Sequence, residues 1–310
     1  MTLFLVGGGP SQATGPIYDS FVEQARGRGP RIALAILGAP EQAGASVGMY
    51  ADPIRQRWPE AQIEPIWLID EDEGTVEWPT DPEQLGGLVV AGGWAPGYLD
   101  ALTPLRDEIV RIVRGGVPYM GFSAGAQIVA KHAIVGGWQS HGRAVGPEIA
   151  GDGSTEIVVR DGLGLIGSAV DVHIDSQHLL ERAISALLDH DISSAIAIDE
   201  DTALVVDVAS GRSDVVGSGA VHWLNNEGHE VRVRRTQGPQ AQPVVEDDTE
   251  STSDAGSTGD TASPEDTASP EDTASPEDTG SSEDTASTGA DASADTASPG
   301  TESEPPTNEK

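Results

Sequence analysis

The strongest chemical signal in the sequence is a serine between two glycines, in the run Gly121-Phe122-Ser123-Ala124-Gly125-Ala126. An apolar run at residues 117–120 precedes it, and a helix-compatible run at residues 127–130 follows it. Gly-x-Ser-x-Gly between a strand and a helix is typical of a nucleophile elbow, a sharp turn that lifts the serine hydroxyl above the sheet. A tight turn whose serine only caps the helix is the alternative. The context favours Ser123 as a nucleophile.

A nucleophilic serine also needs backbone N–H donors that face the developing oxyanion. The N–H of Ala124 is one candidate, because it lies at the start of the predicted helix. A second is the N–H of Gly93, since the apolar run at residues 88–91 ends in Gly92 and Gly93. In a parallel sheet this strand end lies on the same rim as Ser123. A glycine loop that merely turns the chain would have the same sequence.

The serine requires a base, and the base requires an orienting acid. The seven histidines are His132, His141, His173, His178, His190, His222 and His229. His132 would lie about 13 Å from Ser123 along one helix, too far to bond it. His178 is well placed, because it stands where a loop enters an amphipathic helix. The acid could be any of Asp199, Glu200 and Asp201, which lie between two apolar runs, although three adjacent carboxylates are more usually a solvated turn.

Short apolar runs alternate with helical periodicity along the first part of the chain. The predicted strands are residues 3–6, 31–37, 62–69, 88–91, 117–122, 194–198 and 202–208. The predicted helices are residues 17–26, 44–58, 98–114, 124–133 and 176–188. This alternation predicts an α/β domain with a mostly parallel sheet and helices on both faces. Ligands bind such sheets at the carboxyl ends of the strands.

Charge and composition divide the 310-residue chain at about residue 243. Residues 1–243 carry a net charge of −16 and residues 244–310 a net charge of −18, out of −34 in all. The second part lacks Leu, Ile, Met, Phe, Trp and Tyr and repeats Thr-Ala-Ser-Pro-Glu-Asp three times. Such a segment cannot bury enough apolar surface to offset the entropy of ordering. We therefore expect a folded α/β domain at 1–243 and a disordered acidic tail at 244–310.

Composition also excludes several classes of function. The chain has no cysteine, so it has no disulfide, no thiolate metal site and no cysteine nucleophile. The excess of acid argues against nucleic acid or an acidic membrane as partner. No apolar run reaches the roughly 18 residues of a membrane span, and the amino terminus has the pattern of a first strand rather than a signal peptide. We expect a cytoplasmic protein without metal or cofactor; its oligomeric state does not follow from the sequence.

These segments together resemble the dipeptidase E and cyanophycinase group of serine peptidases, which have a class I glutamine amidotransferase-like fold. The resemblance spans about residues 3–224. Besides the elbow and the glycine pair, it rests on Gln177-His178-Leu179 with Arg182, similar to the group's Asp-Gln-His-Phe and following Arg, and on Ile-Asp-Glu-Asp-Thr-Ala at residues 198–203. The resemblance implies these roles: nucleophile Ser123, general base His178, orienting acid Glu200, and oxyanion donors Gly93 and Ala124.

The chain departs from the cyanophycinase pattern where that pattern would grip the charged β-aspartyl-arginine unit. Trp94 and Ala95 occupy the two positions at which the cyanophycinase pattern has an Asp-Gln pair, and Ser176 occupies the position of an Asp. Expected arginines are replaced by Ile184 and Leu187. Gln177, Arg182 and Trp94 remain as substrate-binding candidates. Arg182 shares a helix face with His178 at i, i+4 spacing and would pair with a substrate carboxylate.

The resemblance therefore implies a serine hydrolase that cleaves short peptides through an acyl-enzyme, with aspartyl and isoaspartyl peptides as candidates. Two other classes remain open. An α/β-hydrolase-type esterase would use Ser123, then Asp199 or Asp207, then His222 or His229. A non-catalytic binding module could have kept the fold. A glutamine amidotransferase in its usual form is excluded, because that chemistry uses a cysteine.

Overall fold

The structure, a computed structural model, describes residues 1–68, 76, 78 and 80–238. The predicted acidic tail at 244–310 lies outside the described residues, so the domain boundary at residue 243 stays a prediction. Among the residues described, no helix has the length and apolar character needed to cross a membrane. The cytoplasmic location likewise stays a prediction.

Strands and helices alternate through the first half of the chain. The helices of the described residues are α1 (Pro16–Arg26), α2 (Pro40–Ala43), α3 (Val47–Arg57), α4 (Ala95–Leu102), α5 (Arg106–Arg114), α6 (Ala124–Gln127) and α7 (Leu180–Asp189). The strands of the same residues are β1 (Thr2–Val6), β2 (Arg31–Leu37), β3 (Gln62–Leu68), β4 (Gly87–Val90), β5 (Tyr119–Phe122), β6 (His132–Gly136), β7 (Gln139–Ser140), β8 (Arg143–Ala144), β9 (Val158–Asp161), β10 (Ala169–Asp171), β11 (Ser194–Ile198), β12 (Thr202–Asp207), β13 (Arg212–Gly217), β14 (Ala220–Asn226) and β15 (Val231–Gln237).

The main sheet has seven strands in the order β13-β12-β1-β5-β4-β2-β3. The five strands from β1 to β3 run parallel, while β12 runs antiparallel to β1 and β13 antiparallel to β12. Every residue of β4 and β5 is buried, as expected of strands covered on both faces. The predicted α/β class with a mostly parallel sheet is confirmed.

A second sheet, in the order β10-β11-β14-β15, is formed by strands from the second half of the chain. Strand β10 pairs parallel with β11, and the remaining pairs are antiparallel. Two connections bring the second sheet close to the main sheet. The turn after β11 leads directly into β12 of the main sheet, and the segment after β10 returns to the carboxyl end of β1 through the hydrogen bond from His173 N to Gly7 O, 3.0 Å.

The predicted helix at residues 124–133 is wrong beyond its first turn. Helix α6 ends at Gln127, and the chain continues into β6, which pairs with β9. Lys131 N donates to Ile166 O at 2.8 Å, so a distant segment captures the backbone before a second helical turn forms. This pairing is long-range, and local propensity cannot reveal it.

The predicted helix at residues 176–188 begins later than expected, at Leu180. His178 has φ 55, a left-handed conformation that is incompatible with a helical turn. The predicted helix at residues 98–114 is two helices, α4 and α5, joined by a 3₁₀ turn at Thr103–Leu105. Pro104 lies in that turn, and a proline has no N–H for a continuous helix.

Candidate active site

The candidate site lies where three adjacent parallel strands end. Strands β1, β5 and β4 are neighbours in the sheet, and their carboxyl ends lead into Gly7, Ser123 and the Ala91–Gly93 loop. Ser123 N donates to Val6 O at 3.0 Å, which ties the serine turn to the end of β1. This is the edge at which open α/β sheets bind ligands.

Ser123 occupies a strained turn between β5 and α6. Its backbone has φ 47 and ψ −110, a conformation that non-glycine residues rarely adopt. The flanking glycines allow close backbone contact: a Cβ on Gly121 would lie 2.4 Å from Gly125 O, and one on Gly125 would lie 2.4 Å from Val90 O. The Gly-x-Ser-x-Gly spacing is therefore required by packing against β4, and the turn is a nucleophile elbow in geometry.

The hydroxyl of Ser123 is hydrogen-bonded to a histidine. Ser123 Oγ lies 2.7 Å from His173 Nε2, and His173 Nδ1 is hydrogen-bonded to Glu200 Oε2. When the Nδ1–H group donates its hydrogen bond to the Glu200 carboxylate, Nε2 carries no proton and can accept the proton of the Ser123 hydroxyl. Ser176 Oγ also donates to Glu200 Oε2 at 3.0 Å, which holds the carboxylate in place. A nucleophile, a base and an orienting acid are thus connected in series.

The predicted base, His178, is not the histidine that reaches Ser123. His178 is exposed, and among the described residues it makes no hydrogen bond to the serine. His173 takes that place because β10 ends at Asp171, two residues earlier, at the rim of the sheet. The segment Asp171-Val172-His173-Ile174 also resembles the group's Asp-Gln-His-Phe, with Val in place of Gln. That second match was the sequence signal for His173.

Glu200 is brought to the site by the turn between β11 and β12. Its N–H donates to Asp175 Oδ1 at 2.7 Å, which fixes the turn against the segment that carries the histidine. A Cβ on Gly8 would lie 1.8 Å from Glu200 Oε1, so only a glycine leaves room for this carboxylate. The neighbouring Asp199 points elsewhere, since its Oδ1 lies 3.0 Å from His222 Nε2.

The contact between Asp199 and His222 bears on the esterase alternative. That arrangement needs His222 or His229 at the serine, but His222 pairs with a buried carboxylate on the second sheet and His229 is exposed. Within the described part of the chain, neither is hydrogen-bonded to Ser123. No group of three or more His, Asp or Glu among these residues is arranged to hold a metal ion.

The predicted oxyanion donors are Gly93, in the loop after β4, and Ala124, at the start of α6. Gly93 lines the same cavity as Ser123, and Ala124 is the first residue of α6, where N–H groups have no partner within the helix. Two tyrosines hold the glycine loop through Gly92: its N–H donates to Tyr50 Oη at 3.1 Å, and its carbonyl accepts from Tyr98 Oη at 3.2 Å. The loop that carries Gly93 is therefore positioned by side chains from two helices.

Arg182 is a buried structural partner rather than a free cation at the rim. Only 3% of its side chain is exposed, and its Nε and Nη2 lie 3.0 Å and 2.5 Å from the two carboxylate oxygens of Asp171. Its Nη1 donates to Ala150 O at 2.7 Å. Burial opposes the charge of the guanidinium, but the ion pair with Asp171 outweighs it and raises the pKa of Arg182. Asp171 therefore occupies the bidentate face that was expected to bind a substrate carboxylate, and that pairing stays a prediction without support from this geometry.

The cavity beside Ser123 has a volume of about 250 Å³. Its lining includes two predicted substrate-binding residues, Gln177 and Arg182. The guanidinium of Arg182 is bound to Asp171. Trp94 is not part of the lining; its indole N–H donates to Asp152 O at 3.0 Å at the edge of the site. Other lining residues, among them Ile149 and Asp152, could not be found from the sequence, since they follow no recognisable pattern.

Comparison with known proteins gives relatives for part of the chain. No protein-family model matches it. Cyanophycinases from Trichormus variabilis and from a Nostoc species are each 35% identical to it over 147 residues, which is 45% of this chain and 45% of each relative. A cyanophycinase from Geminocystis herdmanii is 34% identical over 129 residues, 40% of this chain and 43% of the relative. The matched segment thus spans less than half the length of these relatives, and over it the resemblance to the cyanophycinase group is confirmed as homology.

One solved structure is similar over most of its length. The crystal structure of a peptidase from an acI-B1 Actinobacterium aligns with a TM-score of 0.51 over 77% of this chain and 95% of that chain. The two sequences are 22% identical, so the likeness shows a shared fold.

Proposed function

Since the chain is homologous to cyanophycinases over 147 residues, we propose that it is a serine peptidase that cleaves short peptides through an acyl-enzyme. The observation that carries the proposal is the series of hydrogen bonds from Ser123 through His173 to Glu200, with the serine in a strained elbow. Acyl transfer requires a serine bonded to an oriented histidine, and strained residues cluster at functional sites, whereas a binding module has no need for either.

Each residue has a defined part in the proposed reaction. His173 Nε2 takes the proton as Ser123 Oγ attacks the scissile carbonyl, and the Glu200 carboxylate stabilises the imidazolium that forms. The N–H groups of Gly93 and Ala124 face the oxyanion of the tetrahedral intermediate, and each such donor is worth about 10²- to 10³-fold in kcat. His173 then protonates the leaving amine, and water hydrolyses the ester under the same general base.

The size of the cavity supports a small acyl group. A volume of about 250 Å³ is below the usual range of roughly 300–1,000 Å³ for ligand pockets, and it accommodates one or two residues rather than a folded chain. Aspartyl and isoaspartyl dipeptides are the first candidates, because the matched relatives are named cyanophycinases and the chain resembles the dipeptidase E group. The preference for an acidic side chain no longer has support from Arg182, which is committed to Asp171.

The proposal is tested with the purified full chain and a panel of α-aspartyl dipeptides, β-aspartyl dipeptides and cyanophycin. We expect hydrolysis of at least one class of short peptide, with Ser123→Ala as the inactive control. A fluorophosphonate probe should label Ser123 in the unmodified chain and not in the His173→Asn variant. Failure of the probe to label Ser123, together with no hydrolysis of any peptide, would leave the non-catalytic binding module as the better description.

A further inference from the structure

We propose that Asp152 makes this site selective for substrates that place a cationic nitrogen beside Ser123. The nitrogen could belong to a free α-amino group or to a basic side chain, and the two share the chemistry that one carboxylate recognises. The inference deepens the proposed peptidase function and rests on it, since it names a residue that would select among peptides.

Asp152 is held rigidly at the wall of the cavity. It follows a short 3₁₀ turn, Glu148–Gly151, and has a left-handed backbone, φ 48 and ψ 37, which aspartate tolerates. Its carbonyl accepts the hydrogen bond from Trp94 Nε1 at 3.0 Å, so the backbone is fixed from the opposite loop. The residue lines the same cavity as Ser123 and His173. A carboxylate carried on a backbone held in this way can position a ligand atom with less loss of entropy than one on a mobile loop.

The charge of Asp152 is not balanced by an ion pair within the protein. Among the described residues no Lys, Arg or His lies within 4.0 Å of its carboxylate. The single guanidinium of the lining, Arg182, is bound to Asp171 through both Nε and Nη2. The carboxylate of Glu200, behind His173, adds a further negative charge near the site. The three carboxylates of Asp152, Asp171 and Glu200 outnumber the one guanidinium of Arg182.

The electrostatic environment of Asp152 agrees with this geometry. Burial raises the pKa of its carboxyl above the ordinary value, and the nearby Arg182, the Ala95 N–H and His173 offset this only in part. A ligand cation would stabilise the ionised carboxylate and be held by a charge-assisted hydrogen bond. An anionic group at the same place would meet uncompensated negative charge, which disfavours acidic side chains there.

The neighbouring surface fits the stem of such a ligand. Ile149, three residues before Asp152, is 86% exposed and also lines the cavity. It adds an aliphatic side chain to the cavity that Asp152 also lines, and such a surface suits a peptide backbone or the methylene stem of a basic side chain. A divalent metal is a poor alternative occupant, because it needs several oxygen ligands and Asp152 supplies the one carboxylate among the described lining residues.

The test compares Asp152→Asn with the unmodified chain on matched peptide pairs. One pair differs only in acetylation of the α-amino group, and the other has a norleucine in place of lysine. Asparagine also tolerates the left-handed backbone, so the variant should fold. We expect kcat/KM of the variant to fall about 10- to 100-fold on the cationic member of one pair, mostly through KM, and to change less than about threefold on the neutral member. The pair that responds identifies the source of the nitrogen.

Asp191→Asn is the matched control, because Asp191 is an exposed aspartate with φ 51 at the end of α7 remote from Arg182. It should leave both pairs unchanged. Equal losses on charged and neutral peptides in Asp152→Asn would overturn the inference. Peptide binding to Ser123→Ala, measured by calorimetry with and without Asp152→Asn, separates the two proposals. If binding is selective and depends on Asp152 but the unmodified chain hydrolyses no peptide, only the proposed peptidase function is contradicted. If the chain hydrolyses peptides without this selectivity, only the proposed role of Asp152 is contradicted.

Discussion

Ser123 concentrates the chemistry of the site in one strained residue. Its positive φ is maintained by the close packing of Gly121 and Gly125, and its hydroxyl is hydrogen-bonded to His173 Nε2. Because the elbow is held by backbone contacts rather than by the hydroxyl, the fold should not depend on the nucleophile.

We expect Ser123→Ala to abolish hydrolysis while leaving the fold intact. Loss of one partly buried hydrogen bond costs about 1 kcal/mol of unfolding free energy at most. Loss of a nucleophile costs on the order of 10⁴- to 10⁶-fold in rate. Peptide hydrolysis and thermal unfolding measured on the same preparation check both values. Retained activity in a verified Ser123→Ala sample would remove the serine-peptidase assignment.

The two neighbouring histidines allow a sharp test of the base. His173 and His178 have nearly the same backbone, φ 56 and φ 55, and asparagine tolerates this conformation at both positions. We expect His173→Asn to lower kcat/KM by about 10⁴-fold or more, because the serine loses its proton acceptor. His178→Asn should stay close to the unmodified chain, since His178 is exposed and, in the described part of the chain, makes no hydrogen bond to Ser123. The reverse ranking in a steady-state assay would restore His178 as the base.

At the scale of elements, the site depends on how α7 is attached to the second sheet. Arg182 of α7 and Asp171 of β10 form an ion pair with side-chain exposures of 3% and 0%, and Gln127 of α6 adds a hydrogen bond to Asp171 at 3.2 Å. This contact joins three elements directly beneath the cavity, and it holds the strand end from which His173 follows.

We expect Arg182→Leu to destabilise the protein by about 3–5 kcal/mol, because it leaves the Asp171 carboxylate buried without its partner. Arg143→Leu is the matched control. Arg143 of β8 pairs with Glu181 of α7, the helix that also carries Arg182, but the side chains of Arg143 and Glu181 are 73% and 53% exposed. That exposed pair should contribute about 1 kcal/mol or less. Chemical denaturation of both variants measures the difference. A small loss of unfolding free energy in Arg182→Leu, together with a selective rise of KM for acidic peptides, would instead indicate that Arg182 binds a carboxylate of the substrate.

At the scale of the whole molecule, more than half of the net charge of −34 lies in residues 244–310. These residues lack the side chains that form a core, and the folded domain has its own core of fully buried residues such as Phe4, Phe21 and Phe122. The residues proposed for catalysis, from Gly93 to Glu200, all lie before residue 203.

Truncation after Pro243 should therefore leave the melting temperature and kcat/KM nearly unchanged. The deleted residues have no Leu, Ile, Met, Phe, Trp or Tyr with which to stabilise the domain. Differential scanning calorimetry and peptide hydrolysis on the truncated and full-length chains check this expectation. A melting temperature lowered by many degrees would show that the acidic segment docks on the domain.

The sequence alone determined the α/β class, the parallel strands and the elbow, because these depend on local patterns. Apolar runs at residues 31–37 and 194–198 coincide with β2 and β11, and the Gly-x-Ser-x-Gly spacing places Ser123 between β5 and α6. Only the tertiary structure decided which histidine meets the serine. His173 and His178 both fit an Asp-Gln-His-Phe-like segment, and the choice depends on where β10 ends relative to Ser123, 50 residues earlier in the chain. It also decided that Arg182 binds Asp171 and that Asp152 faces the cavity, since burial and charge pairing arise from contacts between distant segments.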